Sequence, residues 1–206
     1  MGDSLLAKGA IIVLMGTTIS VAGEAFDCFV KKTEARPKYI YLIPTTGTKD
    51  YAQLAKLAIL DKYYREEPVV RIRPFSHDDI LSESDFVDFF NHVSSVVREI
   101  LGIVGNEPIF GSITGGRKTM SVAAAMAMLH RGVRVIDTRS RTAEEDRAYL
   151  SQIASRFSEG ASPEEVFNEL REHVVNLVFR PADICYELPS MRLNAELTYE
   201  RLDLEV

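Results

Sequence analysis

The sequence predicts an α/β fold: a doubly wound, mainly parallel sheet of six strands, helices on both faces and a short antiparallel C-terminal extension. Three observations carry this. Short apolar runs alternate with amphipathic helical patterns at close spacing, as in a parallel sheet with crossover helices. The first run is continuously apolar and rich in β-branched residues, which suits a strand covered on both faces. Four strands end in loops dense in hydroxyls, glycines or charges. Sheets of this class bind ligands beyond the carboxyl ends of their strands, near the point where strand order reverses.

In chain order, Ala10 to Met15 is the first strand, ending in the loop Gly16-Thr-Thr-Ile-Ser20. Val21 to Lys32 follows as a helix with Val21, Ala25, Cys28 and Phe29 on one side. Glu24 falls in its first turn, where the helix dipole favours a negative charge. Lys38 to Ile43 is the second strand, with the loop Pro44-Thr-Thr-Gly-Thr48 after it and a helix over Lys49 to Tyr64. Pro68 to Ile72 is the third strand, its loop running from Arg73 to Asp79. Ser82 or Ser84 caps a long helix over Asp85 to Leu101 that bears Phe86, Phe89, Phe90, Val93 and Val97. Pro108 to Gly111 is the fourth strand, and Ser121 to His130 its helix, with Val122, Met126 and Leu129 on one face. Val133 to Ile136 is the fifth strand.

The last third reads as two helices, Thr142 to Phe157 and Ser162 to His173, the second marked by a serine cap, a first-turn proline and two acids. Val174 to Phe179 then reads as the sixth strand. Alternating runs such as Ala195-Glu-Leu-Thr-Tyr199 suggest antiparallel additions in the tail. A single domain over residues 1–206 is expected, with its core at about 10–180 and an extension over 181–206.

Composition narrows the function. The apolar fraction of 46% and charged fraction of 26% are ordinary for a soluble globular chain. A net charge of −6 gives no global basic field for DNA or other long nucleic acid, so an anion needs a local site. The apolar run at Ala10 to Met15 is too short to span a membrane, and no signal peptide is read before it; a cytoplasmic location is expected. The two cysteines, Cys28 and Cys185, lack metal-ligand spacing; no disulfide framework is expected, and Cys28 reads as a small buried hydrophobe.

The most informative stretch is Ser112-Ile-Thr-Gly-Gly-Arg-Lys-Thr119, between the fourth strand and its helix. Gly115 and Gly116 let the backbone turn sharply and approach a ligand. Thr114, Arg117, Lys118 and Thr119 then stand where free N–H groups and the helix dipole favour an anion, such as a phosphate. Two other readings of these residues stay open. The glycines serve as a tight connection and the cations as solvated charges, or the stretch is a nucleoside-triphosphate loop. Against the latter, Arg117 stands where the lysine belongs, and Asp137 is the only downstream acid suited to magnesium.

No HxH, HExxH or G-x-S-x-G pattern occurs. His77-Asp78-Asp79 reads better as a solvated loop than as metal ligands, and Arg131, Arg134, Arg139 and Arg141 as exposed charges rather than an anion-binding edge. No metal and no cofactor is expected. What remains is a hydroxyl- and cation-lined site suited to metal-free phosphoryl transfer, in which RNA supplies its own 2′-hydroxyl nucleophile.

Ile113-Thr-Gly-Gly-Arg-Lys-Thr-Met-Ser121 resembles the hallmark motif of the CARF domains, Rossmann-like CRISPR-associated sensors of cyclic oligoadenylate. Its exact form is most similar to the branch of stand-alone ring nucleases. Leu14-Met-Gly-Thr-Thr-Ile-Ser-Val-Ala-Gly-Glu24 is similar to that branch's first loop, and the resemblance spans about Ala10 to Ile136. It implies a homodimer holding cyclic tetra-adenylate across its two-fold axis, no DNA or membrane partner, and metal-independent cleavage to linear di-adenylate with 2′,3′-cyclic phosphate ends. This would switch off type III CRISPR signalling in antiviral defence. Lys118 would be catalytic, with a first-loop hydroxyl. The family's serine falls on Thr18, with Ile19 in place of proline; Thr17 or Ser20 could serve instead. Gly16, Thr17, Thr45, Thr46, Ser112, Thr114, Gly115, Gly116, Arg117 and Thr119 would bind the ligand. Neither a winged helix nor an R-x₄₋₆-H ribonuclease motif is read from the chain, so a lone degrading domain is expected, with a non-catalytic sensor acting through a partner as the alternative.

Overall fold

Two helical layers enclose one twisted sheet, and what matters for function is where the sheet's strand order turns. The computed structural model describes residues 6–63, 68–140 and 144–189. Along the chain come β1 (Ala10–Met15), α1 (Ser20–Thr33), β2 (Tyr39–Pro44), a 3-10 turn (Thr46–Thr48), α2 (Lys49–Lys62), β3 (Val69–Ile72) and α3 (Glu83–Val104). Then follow β4 (Ile109–Ser112), α4 (Lys118–His130), β5 (Arg134–Arg139), α5 (Glu144–Ser158), α6 (Pro163–Val178) and β6 (Ile184–Glu187).

The sheet order is β3-β2-β1-β4-β5-β6, with β6 antiparallel to β5 and every other pairing parallel. The order reverses between β1 and β4, which pair in register from Ala10↔Ile109 to Val13↔Ser112. All six residues of β1 are buried. Ile11, Val13 and Met15 pack under α1, α2 and α6; Ala10, Ile12 and Leu14 pack under α3 and α4. A side-chain period of two thus feeds two cores, which is why the run shows no polar alternation.

Ser82 caps α3, accepting from Asp85 N while Asp85 accepts from Ser82 N, and Ser162 and Glu165 repeat this reciprocal cap on α6. The expectation of a sixth strand at Val174–Phe179 is corrected. That stretch continues α6 to Val178, and Phe167, Leu170, Val174, Leu177 and Val178 form its buried face. A β-branched run read alone suits either structure; the i, i+3, i+4 spacing from Leu170 onward decides it. The sixth strand is Ile184–Glu187, within the stretch read as antiparallel additions. Ala195–Tyr199, Tyr64, Arg141 and Thr142 lie outside the described residues.

Two further expectations change. Helix α1 starts at Ser20, so Glu24 lies one turn in and no acid occupies the first turn. Its carboxylate serves hydroxyl groups instead of the dipole. The cysteines are not separate: Cys28 on α1 and Cys185 on β6 form a disulfide with a Cα–Cα separation of 5.8 Å. They lie 157 residues apart, and only the return of β6 beside β5 brings them together. Spacing rules see neighbours and miss such a pair. On α4, Met120, Ala123, Ala124, Ala127 and Met128 face the core, whereas Val122 and Met126 of the expected apolar face are 53% and 52% exposed. No helix among the described residues is long and apolar enough to cross a membrane.

Helices α1 and α6 meet at Gly23, where an added Cβ would lie 1.5 Å from the Val178 carbonyl oxygen. Backbone cannot rotate away as a side chain can. Gly23→Ala should therefore cost about 1–3 kcal/mol, typical of overpacking. A urea midpoint equal to wild type would disprove that close contact.

On the other face, Arg73 donates to Glu99 at 3.1 and 2.7 Å, and Arg71 and Tyr41 donate to the same carboxylate. Hydrogen bonding, from Arg73 above all, holds the Glu99 carboxyl below its ordinary value of 4.5, against the cost of burial. With the folded value depressed, the stabilisation is complete above the unfolded value and is lost as pH falls through the folded one. Glu99→Gln should therefore flatten the acid limb of a stability–pH curve below about pH 4.5. Parallel acid limbs in the two proteins would show that the cluster contributes nothing.

Candidate functional site

A cavity of about 290 Å³ opens at the carboxyl edge of the sheet, where the strand order reverses. Met15, Gly16, Thr17, Thr45, Thr48, Asp78, Gly115, Gly116, Arg117 and Met120 line it. The end of β1, the loops after four strands (β1 to β4) and the first turn of α4 supply these residues, so the topology builds the cleft.

Its floor is a backbone contact between the first and fourth loops. A Cβ on Gly115 would stand 1.9 Å from the Leu14 carbonyl oxygen, and one on Gly16 would stand 2.7 Å from the Gly115 carbonyl oxygen. Any side chain at either position would wedge the loops apart. Ser121 fastens the fourth loop from behind, donating to the Ile113 carbonyl at 2.8 Å. Thr48 fastens the second loop, donating to the Met15 carbonyl at 3.0 Å.

Arg117 lines the cleft, whereas Lys118, Thr18, Thr46 and Thr119 are not among its lining residues. Arg117 is the N-cap of α4 and makes no side-chain cap, so the first-turn N–H groups have no such partner. Its guanidinium pairs with Asp79 in the third loop. Lys118, the first helical residue, is exposed and forms no ion pair among the described residues. The adjacent cations thus differ: one is tethered to a loop, and the other forms no ion pair among the described residues.

The hydroxyls divide in the same way. Thr17 and Thr18 are exposed, as are Thr46 and Thr119. Thr45 is buried, its amide donating to Thr48 Oγ1 at 3.0 Å. Ser20 is buried and donates to Glu24 at 2.9 Å. Ser112 is fully buried and donates to Thr114 at 3.3 Å. Thr114 Oγ1 also accepts the Thr138 N–H at 2.8 Å and lies 3.1 Å from Asp137 Oδ1 and 3.0 Å from Thr138 Oγ1. A hydroxyl has one proton and two lone pairs, so Thr114 is saturated within the protein. The cleft thereby brings together Gly16, Thr17, Thr45, Gly115, Gly116 and Arg117; Ser20, Ser112 and Thr114 stand behind it as struts.

Sequence reading did not single out Asp78, Thr48, Met15 or Met120 as cleft residues. The signal for Thr48 was present, in the hydroxyl-rich loop after the second strand. Asp78 is placed by the β3–α3 loop, whose path no periodicity predicts. Of the basic segment, Arg134 pairs with Glu187 at 2.7 Å and Arg139 stands 4.0 Å from Asp137. Among the described residues no three His, Cys, Asp or Glu converge as metal ligands do.

Fold and cleft together define a doubly wound α/β protein whose reversal point presents helix amides and cations. The chain belongs to the family of CRISPR-associated protein NE0113 (Cas_NE0113), which matches residues 20–200. Over 130 residues it is 32% identical to the CRISPR system ring nuclease SSO2081 of Saccharolobus solfataricus, covering 61% of this chain and 68% of that one. Csm6 of Enterococcus italicus, solved bound to cyclic hexa-2′-fluoro-hexa-dAMP, superposes with a TM-score of 0.52 at 16% identity, over 88% of this chain and 42% of Csm6. Can2 of Sulfobacillus thermosulfidooxidans, solved with cyclic tetra-adenylate, gives 0.44 at 16% identity, over 64% of this chain and 32% of Can2. The chain spans less than half the length of either, and Csm6 at this identity bears on the fold alone.

Proposed function

We propose that the protein is a ring nuclease that binds cyclic tetra-adenylate and cuts it to linear di-adenylate with 2′,3′-cyclic phosphate ends. The observation that carries this is Lys118 at the open N-terminus of α4, without an ion pair among the described residues and next in the chain to Arg117, which lines a cleft floored by Gly16 and Gly115. Kinship with a protein named as a CRISPR system ring nuclease supports the choice of activity. The cavity of about 290 Å³ is at the lower limit of ordinary ligand pockets, about 300–1,000 Å³. A ring of four nucleotides therefore lies across two copies. The exposed Val122 and Met126 of α4, with Val87 of α3, offer an apolar face for that homodimer.

In this reading the 2′-oxygen attacks the adjacent phosphorus and the P–O5′ bond breaks, opening the ring; the same step at the opposite phosphodiester, in the second copy, splits the linear tetra-adenylate into two di-adenylates. The attacking hydroxyl loses its proton, and the leaving 5′-oxygen gains one. Helix amides and Arg117 hold the phosphate, Lys118 meets the charge that develops on it, and Thr18 or Thr17 orients the ribose. No step calls for a metal. The test is a single-turnover incubation with labelled cyclic tetra-adenylate in EDTA. Di-adenylate carrying cyclic phosphate ends is expected. A ring bound but left intact would replace this reading with that of a sensor, and a ring neither bound nor cut would end it.

A further inference from the structure

Behind the cleft lies a buried carboxylate to which the cleavage chemistry assigns no task. Glu24 is 3% exposed. Its Oε1 accepts Ser20 Oγ at 2.9 Å and Ser140 Oγ at 2.6 Å, and its Oε2 accepts Thr138 Oγ1 at 3.2 Å. These donors come from the start of α1, the end of β5 and the segment after it. Glu24 thus ties the helix behind the first loop to the strand beside the fourth.

The carboxylate also orders the protons. A hydroxyl donates once. Thr138 spends its hydroxyl proton on Glu24, and its backbone N–H donates to Thr114 Oγ1 at 2.8 Å. Thr114 donates its one proton to Asp137 and takes the Thr138 N–H and the Ser112 hydroxyl on its lone pairs. Thr114 precedes Gly115, whose backbone touches the first loop. A fixed chain therefore runs from Glu24 through Thr138 and Thr114 to the cleft floor.

We propose that Glu24 is a positioning residue for ring cleavage, a buried acceptor that fixes Thr138, whose N–H holds Thr114 and through it the Gly115–Gly116 turn against the first loop. This rests on the ring-nuclease reading of the cleft. Glu24→Gln keeps the size but replaces one acceptor oxygen with a donor, so at least one hydroxyl must turn its proton. Thr138→Val keeps the shape and the N–H to Thr114 but removes the hydroxyl that joins Thr138 to Glu24.

The experiment uses both variants and their combination in the full chain. It reads cyclic tetra-adenylate affinity, single-turnover cleavage in EDTA, thermal midpoint, and amide hydrogen exchange at Gly115 and Gly116. Each single variant should cleave about 10- to 100-fold more slowly, the scale of a small misplacement of reacting groups, with affinity little changed. The double variant should be no slower than the worse single one, as for links of one chain. Exchange at both glycines should quicken. Wild-type rates in either variant, or a rate loss matched by equal losses of affinity and thermal midpoint, would overturn the proposal in favour of a merely structural role. If the wild type neither binds nor cuts the ring, the ring-nuclease reading falls, and the cleavage role of Glu24 with it. Glycine exchange would then separate the two: quickened in Glu24→Gln it upholds the link from Glu24 to the cleft floor, and unchanged it removes that as well.

Discussion

Lys118→Ala is expected to slow ring cleavage by about 10²–10³, about 2.7–4 kcal/mol of transition-state stabilisation, while leaving ring affinity nearly intact. The structure separates this lysine from its neighbour. Arg117 is held by Asp79, whereas Lys118 has no ion-pair partner among the described residues and stands on the first turn of α4. A free ammonium there sits where helix amides already favour negative charge, and its attraction grows as the phosphorane forms. Charge present in the bound ring and in the transition state alike would lower KM without raising kcat; only the difference counts. Arg117→Ala should therefore show the opposite division, with weaker binding and a smaller change in rate. Single-turnover rates and equilibrium affinities for the two variants test this. Equal losses of affinity in both, with the bound ring cut at the wild-type rate, would remove Lys118 from the chemistry.

Reduction of the Cys28–Cys185 disulfide should lower stability by about 2–4 kcal/mol. The bond ties α1 to β6 across 157 residues of chain, so breaking it frees a long loop in the unfolded ensemble. For a chain of this length that corresponds to about 5–15 °C in thermal midpoint. Cys28→Ala should start from the lowered midpoint and ignore the reductant. Cleavage should persist in both, because the disulfide joins elements away from the residues that line the cleft. Wild-type midpoints that coincide with and without reductant would show that the bond does not form.

How much of this could be read in the chain depended on range. The strands Ala10–Met15 and Tyr39–Pro44 and the helix Glu83–Val104 announced themselves through local period and caps, and structure and expectation agree within about three residues. The glycine turn before α4 was legible because Gly-Gly-Arg-Lys is a local device. Val174–Phe179 misled because its apolar density is shared by strand and helix, and the deciding contact is Val178 against Gly23, far away in sequence. On α4 the larger Val122, Met126 and Leu129 mark the face expected from the sequence, yet close packing of α4 on the sheet selects Ala123, Ala124 and Ala127, and Met128 fills the space that Gly111 leaves. Glu24 was seen but given to the wrong partner. Its real ones, Thr138 and Ser140, lie 114 and 116 residues on, beyond any spacing rule.

The seam between β1 and β4 also governs the order of assembly. Its register joins Ala10 to Ile109 and Val13 to Ser112, so neither loop of the cleft has its backing until about half the chain has been made and docked. Closing so long a separation delays the reward for local structure. An N-terminal fragment ending after β3 would hold the first two loops yet lack the floor that Gly115 provides. A complete cleft thus arrives late and all at once, when the fourth loop docks on the first.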